Sequence, residues 1–233
     1  MMSERPILFN SEMILAILDG RKTQTRRLLK KQPLDILPMH VPNQWVTLDT
    51  RDPNHGSVIK CRFGTPGDRL WVRETWRPWS WHEGEPIQVQ FKADRKHAPA
   101  DNTSTLSMER YDKIPEWEES IWLQIEEELK EKGVEPDGNG WYHFDGDPPL
   151  KWRPSLFMPR WASRILLKIT KVRIERLQEI SMQEAVAEGV PVLKGCPEPR
   201  ISFHDLWDEL YAKGGYSWDS NPWVWVIEFE IVK

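Results

Sequence analysis

The closing run Pro222-Trp223-Val224-Trp225-Val226-Ile227-Glu228-Phe229-Glu230-Ile231-Val232 constrains the fold of this chain more than any other stretch. Opened by a proline and rich in β-branched and aromatic residues, it predicts a long strand whose odd positions from Trp225 to Ile231 face a core. A second long strand is expected over 163–177, where Ile165, Leu167 and Ile169 alternate with Arg164, Leu166 and Lys168, with a bend near Thr170. Shorter strands are read at Ile7-Leu8-Phe9 and over Asp68–Glu74, the latter introduced by the turn Pro66-Gly67. Three helices lie between them. Ser11–Asp19 carries Met13, Ile14, Ile17 and Leu18 at helical spacing before Gly20. Ser181-Met182-Gln183-Glu184 is a capping-box start for a helix ending at Gly189. Phe203–Ala212 is expected to be capped by Ser202 and stopped by Gly214-Gly215. Separated strands, short helices and no strand-helix-strand rhythm argue for a mixed, barrel-like α+β domain.

The stretch 77–150 differs in character, being rich in Pro, Trp, Glu and Lys, and reads as an insertion into a single domain spanning 1–233. It is expected to be loop-like over 97–102 and 136–140. Within it Trp117, Ile121, Ile125 and Leu129 recur every four residues before Gly133, which predicts one amphipathic helix with a solvated Glu/Lys face. The chain holds 14 Trp, among them Trp71, Trp76, Trp79, Trp81, Trp117, Trp122, Trp141, Trp223 and Trp225, and packing is the more common use of each than base stacking. A formal net charge of -4 argues against coating long nucleic acid and leaves room for a small, localised site. No apolar run is long enough to span a bilayer and the N-terminus is polar, so a cytoplasmic protein without membrane partner is expected. Cys61 and Cys196 are then expected to be free thiols; there is no CxxC or HExxH, and no metal site or cofactor is expected.

One segment concentrates chemistry. Gly20-Arg21-Lys22-Thr23-Gln24-Thr25-Arg26-Arg27 packs four cations and two hydroxyls into eight residues as the first helix ends. It suits an anionic or carbonyl-bearing ligand, although basic residues after a helix C-terminus also serve its last carbonyls and dipole.

Four motifs occur in order: Gly20–Arg26 after a helix, Gly67–Val72, Ala185-Val186-Ala187-Glu188-Gly189, and Val226-Ile227-Glu228-Phe229. Together they resemble the ASCH domain of the PUA-like superfamily. Trp152-Arg153-Pro154-Ser155 and Met158–Arg164 resemble the longer ASCH proteins carried by bacteriophages and prophages. The resemblance covers about two thirds of the chain and leaves out the insertion. It implies a small PUA-like β-barrel with short helices and a cleft for a nucleoside or single-stranded RNA. One branch of the family consists of N(4)-acetylcytidine amidohydrolases, whose working positions fall here on Lys22, Thr25 and Glu188. Other members are ribonucleases or have no assigned activity.

The chemistry this implies is coherent. Metal-free hydrolysis of an amide needs a nucleophile, a base and an acid for the departing nitrogen, roles open to the Thr25 hydroxyl, a neutral Lys22 and Glu188. Neutrality of Lys22 would require burial or cationic neighbours such as Arg21 and Arg26, and an uncompensated Lys22 would contribute little to stability. Glu188 could instead be a helix-end carboxylate paired with a nearby Arg. Arg21, Thr23, Arg26, Arg73, Glu74, Trp76, Arg160 and Arg164 are expected to bind substrate. Adjacent Arg73 and Glu74 must point to opposite faces of their strand, and Arg160 and Arg164 are candidate phosphate contacts unless they merely lie over Trp161. The expected function is therefore hydrolysis of an N(4)-acylated cytidine, with a non-catalytic phage RNA-binding module or a ribonuclease as alternatives.

Overall fold

The two long strands pair with each other. The computed structural model describes residues 2–49, 52–80, 87–99, 116–140, 142–144, 146–190 and 198–232. Its elements in chain order are β1 (Glu4–Leu8), α1 (Ser11–Leu18), β2 (Gln24–Leu28), β3 (Asp35–Pro38), β4 (Trp45–Asp49), β5 (Asp52–Ile59), β6 (Arg69–Arg73), β7 (Trp76–Ser80), β8 (Gln88–Phe91), β9 (His97–Pro99), α2 (Glu116–Glu131), β10 (Leu166–Arg176), α3 (Met182–Ala187), α4 (Pro199–Tyr211) and β11 (Trp223–Ile231). β10 and β11 run antiparallel from Leu167↔Ile231 to Arg176↔Trp223, with a register shift between Ile169 and Lys171 that sets the expected bend at Thr170.

The chain divides into two compact units. The first comprises Met1–Ile7, Glu12–Trp71 and Ile165–Lys233. Its main sheet has the order β1-β6-β10-β11-β2, and a separate meander orders β3-β4-β5. The protein is thus mixed α+β, but the expected closed barrel is not formed among the described residues. The ladder ends at β1 on one side and β2 on the other, and the residue leading into β2, Lys22, makes its bridge to Glu188 at the end of α3 instead of to a strand.

Burial of both faces of β11 explains why α3 and α4 lie where they do. Val224, Trp225, Val226 and Ile227 are all buried, and Val224 and Val226 join Leu177, Ile180, Ala185, Val190, Phe203 and Trp207 in one apolar cluster. The far end of the strand departs from the expected alternation, for Ile231 is exposed next to Glu230. α3 begins as read from the sequence: the Ser181 hydroxyl accepts from the Glu184 N–H at 3.2 Å while the Glu184 carboxylate accepts from the Ser181 N–H at 2.8 Å. α4 does not. It starts at Pro199, where a missing N–H costs nothing, so Ser202 lies inside the helix and caps nothing.

The second unit comprises Leu8–Ser11 and Val72–Arg164, which is more than the expected insertion. It has its own sheet, β7-β8-β9, so His97–Pro99 is strand and not loop. The predicted stripe of α2 is realised: Ile121, Ile125 and Leu129 pack with Trp76, Ile87, Val89, Phe91, Leu150, Met158 and Ala162. Gly133, at φ 70°, closes the helix, with the Val134 N–H reaching the Leu129 carbonyl at 3.0 Å. The 136–140 segment is loop, whereas Trp81, Trp141, Cys196 and 100–102 lie outside the described residues. Cys61 is a buried free thiol, and no helix among the described residues is long and apolar enough to cross a membrane.

Because Ile125 is fully buried in this core, Ile125→Ala should cost about 2–5 kcal/mol of stability in urea denaturation followed by far-UV circular dichroism. A loss below about 1 kcal/mol would mean that the α2 stripe does not hold this unit together.

Candidate functional site

The basic run turns inward. After α1, Gly20 takes φ 73° and the N–H groups of Arg21 and Lys22 both reach the Ala16 carbonyl at 2.9 Å, which reverses the chain within one turn. The Thr23 N–H then bonds the Ala187 carbonyl, and the Thr23 carbonyl accepts from Phe229, each at 2.9 Å. The start of β2 is thereby stitched between α3 and β11, and its side chains are directed by those two neighbours.

Lys22 ends up in the interior. Its Nζ donates to Glu188 Oε2 at 2.9 Å and to the Glu188 backbone carbonyl at 2.7 Å, and the lysine side chain has no exposed surface. Arg26, equally buried, donates to Glu188 Oε1 at 3.3 Å and to Glu175 Oε2 at 3.1 Å, and lies 3.4 Å from Glu184 Oε2. Its guanidinium also sits over the Phe203 ring, 5.9 Å from the centroid. Arg173 continues the series by binding Glu175, Glu184 and Glu228. The result is a network of alternating charge running from the interior to the surface.

Glu188 is aimed by its backbone. As the C-terminal cap of α3 it keeps helical φ and ψ, and Gly189 follows at φ 82°. A Cβ at residue 189 would stand 2.8 Å from the Cβ atoms of both Ala16 and Lys22. Glycine is therefore required there for conformation and for space, and it lets Lys22 pack directly against the Glu188 turn.

Burial lowers the Lys22 pKa from its usual 10.5, only partly offset by the charge and hydrogen bond of Glu188, with Arg27 and Arg26 adding to the depression. Burial would raise Glu184, but the Ser181 N–H and the charges of Arg26 and Arg173 hold its carboxyl below the ordinary range.

Thr25 does not join the network. Alternation along β2 directs it away from the face of Gln24 and Arg26, and its buried hydroxyl has no hydrogen-bond partner among the described residues. Arg21 stays at the surface, donating to the Asp19 carboxylate and, at 3.3 Å, to the Gly189 carbonyl. Thr23 and Gln24 line a cleft of ≈ 330 Å³ whose other walls are Thr170, Gln183, Glu184, Ala187, Glu228 and Phe229. This cleft is amide- and hydroxyl-rich with two carboxylates, not the basic pocket suggested by the run of cations. The reason is that Lys22 and Arg26 are consumed by carboxylates inside the fold.

The remaining sequence-derived candidates belong to the second unit. Arg164 grips both oxygens of Glu74 at 2.9 Å, bonds Asp94 at 2.8 Å and lies 4.0 Å from the Phe91 ring centroid, so it is held by carboxylates and is not presented to a phosphate. Burial raises the Glu74 pKa, with Arg164 opposing. Trp76 is a core residue packed edge-on against Trp161 at 5.5 Å, not a substrate-facing ring. Arg73 donates to the Leu156 carbonyl at 3.1 Å, and Arg160 opens a short 3-10 turn and is partly exposed. Sequence reasoning missed Glu175, Arg173 and Glu228 and saw Glu184 only as a cap. The alternation of Arg173 and Glu175 on one strand face was the available signal.

No family model matches this chain, and no curated protein or solved structure matches it either. Among the described residues no group of three or more His, Cys, Asp or Glu is placed to hold a metal ion.

The buried pairing overturns the expectation that Lys22 contributes little to stability. Lys22→Ala leaves Glu188 inside the fold with Arg26 alone, and should cost on the order of 3 kcal/mol, read as a fall in the urea midpoint at constant slope. An unchanged midpoint would contradict the buried pair.

Proposed function

We propose that the first unit is an ASCH-like, PUA-type domain that hydrolyses the amide bond of an N(4)-acylated cytidine, with Lys22 and Glu188 moving the protons. The observation that carries this reading is the Lys22–Glu188 contact at 2.9 Å in the interior, where burial favours the neutral amine. A perturbed lysine is a feature of working sites, and Thr23 and Ala187, next to Lys22 and Glu188 in sequence, line a cleft of nucleoside-sized volume whose lining does not include the pair itself.

The proton balance closes within the pair. Lys22, as the amine, takes a proton from a water molecule whose oxygen attacks the acyl carbon. The one proton that the pair shares across its hydrogen bond lies on Glu188 when Lys22 is the amine, and from there it passes to the exocyclic nitrogen as the carbon–nitrogen bond breaks. Products are the free amino nucleoside and a carboxylic acid. The Lys22 ammonium then returns its proton to the Glu188 carboxylate across their shared hydrogen bond, which restores the starting state. Water replaces Thr25 as nucleophile because the Thr25 hydroxyl makes no hydrogen bond to Lys22 or Glu188. Arg26, on the second oxygen of Glu188, fixes the carboxyl plane. One observation favours a second reading: Lys22 and Glu188 are both almost wholly buried, as in a structural pair within a binding module.

Incubation with N(4)-acetylcytidine, resolved by liquid chromatography, should release cytidine and acetate. Lys22→Met and Glu188→Gln, each checked for folding by circular dichroism, should lower the rate by about 10²–10⁴-fold, and Thr25→Val by far less. Since the reactive pair holds one proton, on Glu188 while Lys22 is the amine, the rate should fall as pH rises through the Lys22 titration, at a pH below 10.5, where that proton is lost. No turnover by the unaltered protein would support the binding module, and full activity in both charge variants would remove Lys22 and Glu188 from the mechanism.

A further inference from the structure

The polar cleft of the first unit holds two hydrogen-bond acceptors that the fold leaves unused. Gln24 is 3% exposed, lines the cleft, and donates from its amide Nε2 to the Glu184 carbonyl at 3.1 Å. Only the nitrogen end of an amide can serve a carbonyl, so that bond fixes which way round the side chain sits, and Oε1 is left without a hydrogen-bond partner among the described residues. Glu228 stands opposite Gln24 in the β2–β11 register, on the same face of the sheet, where paired residues hold their Cβ atoms about 5 Å apart. Arg173 and Lys171 both pair with its Oε1, and no described residue donates to its Oε2. An amide oxygen as deeply buried as that of Gln24 costs free energy unless something entering the cleft donates to it.

Strand and helix place these acceptors in step with the buried ion pair. Lys22 donates to the Glu188 carbonyl and Gln24 to the Glu184 carbonyl. Two residues along a strand advance about 6–7 Å and one helical turn about 6 Å, so Gln24 repeats the Lys22 contact one turn back along α3. In a cytidine the exocyclic nitrogen and the ribose stand at opposite ends of the pyrimidine ring. A ligand whose acylated end meets Lys22 and Glu188 therefore carries its sugar hydroxyls toward Gln24 and Glu228. Two acceptors side by side suit a vicinal diol, which offers two adjacent donors. The lining agrees: no Lys or Arg lines the cleft to hold a phosphate, and Thr23 and Thr170 add hydroxyls that can give or accept.

We propose that Gln24 and Glu228 form a ribose subsite, in which Gln24 Oε1 and Glu228 Oε2 accept hydrogen bonds from the 2′ and 3′ hydroxyls of a ribonucleoside. The subsite rests on the hydrolase reading for the identity of its ligand, but its claim concerns binding, which is measured without turnover. Gln24 is thereby a specificity-determining residue. It favours a ribonucleoside over its deoxy analogues and takes no part in moving protons.

The test is isothermal titration calorimetry of the full chain with cytidine, 2′-deoxycytidine and 3′-deoxycytidine, repeated in Gln24→Leu after its folding is checked by circular dichroism. In the unaltered protein each missing hydroxyl should weaken binding about ten-fold, the loss of one hydrogen bond. In Gln24→Leu cytidine should weaken by a similar factor, and one of the two deoxy analogues should bind no worse than cytidine, because the hydroxyl it lacks no longer has a partner. A purely structural role for Gln24 would weaken all three nucleosides equally, which would overturn the subsite. So would equal affinity for all three in the unaltered protein, or no binding of cytidine at millimolar concentration. The deoxy comparison in the unaltered protein stands whether or not Gln24→Leu folds. The predicted binding pattern in a protein that leaves N(4)-acetylcytidine intact would keep the subsite and discard the hydrolase. Turnover of N(4)-acetylcytidine and its deoxy analogues at equal kcat/KM would do the reverse.

Discussion

The ion pair between Lys22 and Glu188 is the constraint on which the first unit depends. An ammonium and a carboxylate removed from water cost several kcal/mol each in solvation, and they are tolerated only when each finds close, well-aimed partners. Every local feature around the pair serves that demand. Gly20 reverses the chain so that Lys22 enters β2 beside α3, the Glu188 carbonyl supplies a second acceptor, Arg26 covers the other carboxylate oxygen, and Gly189 keeps a Cβ out of the space that Lys22 needs. The segment joining α1 to β2 and the end of α3 are therefore specified together, across 166 residues of sequence.

The same logic extends outward and is repeated in the second unit. Glu184 caps α3, meets Arg26 and meets Arg173, so one carboxylate links helix initiation to the network on β2, β10 and β11. In the second unit Arg164 plays the central part, its guanidinium filled by Glu74 and Asp94 above the Phe91 ring. Each unit thus has an apolar core and, against it, a cluster of paired charges. Such clusters tolerate little rearrangement, since removing one member strands the others. At Lys22 the arrangement has a chemical consequence, because the burial that demands a partner also favours the neutral amine that a base requires.

Sequence pattern reached the parts of the fold governed by local periodicity. The alternation in β10 and its bend at Thr170, the stripe Ile121-Ile125-Leu129, and the capping box at Ser181 are all visible in short windows, because each is enforced by neighbours within a few residues. The β3-β4-β5 meander was not visible: its short strands are interrupted by Pro38, Pro42, Pro53 and Gly56, and its packing relies on distant contacts such as Trp45 edge-on to Trp225 at 5.1 Å. The start of α4 was misplaced because Ser202 competed with Pro199 as a start signal, and only the structure shows that the serine lies inside the helix. At the candidate site the Lys22–Glu188 pairing came from a resemblance, as no spacing rule joins residues so far apart. The inward turn of Lys22 and Arg26, which makes the neighbouring cleft polar and not basic, follows from three carboxylates, Glu175, Glu184 and Glu188, whose convergence is a property of the tertiary fold.

The central claim is that Lys22 lies in the interior with an amine that releases its proton more readily than an ordinary lysine. Nitrogen-15 NMR of the lysine amino groups, with the Lys22 resonance assigned by its loss in Lys22→Met, measures that proton directly. The account predicts that Lys22 titrates below 10.5 and apart from the surface lysines, and that the titration shifts when Glu188 is replaced by Gln. A Lys22 resonance that titrates together with the surface lysines and ignores the Glu188 substitution would contradict it.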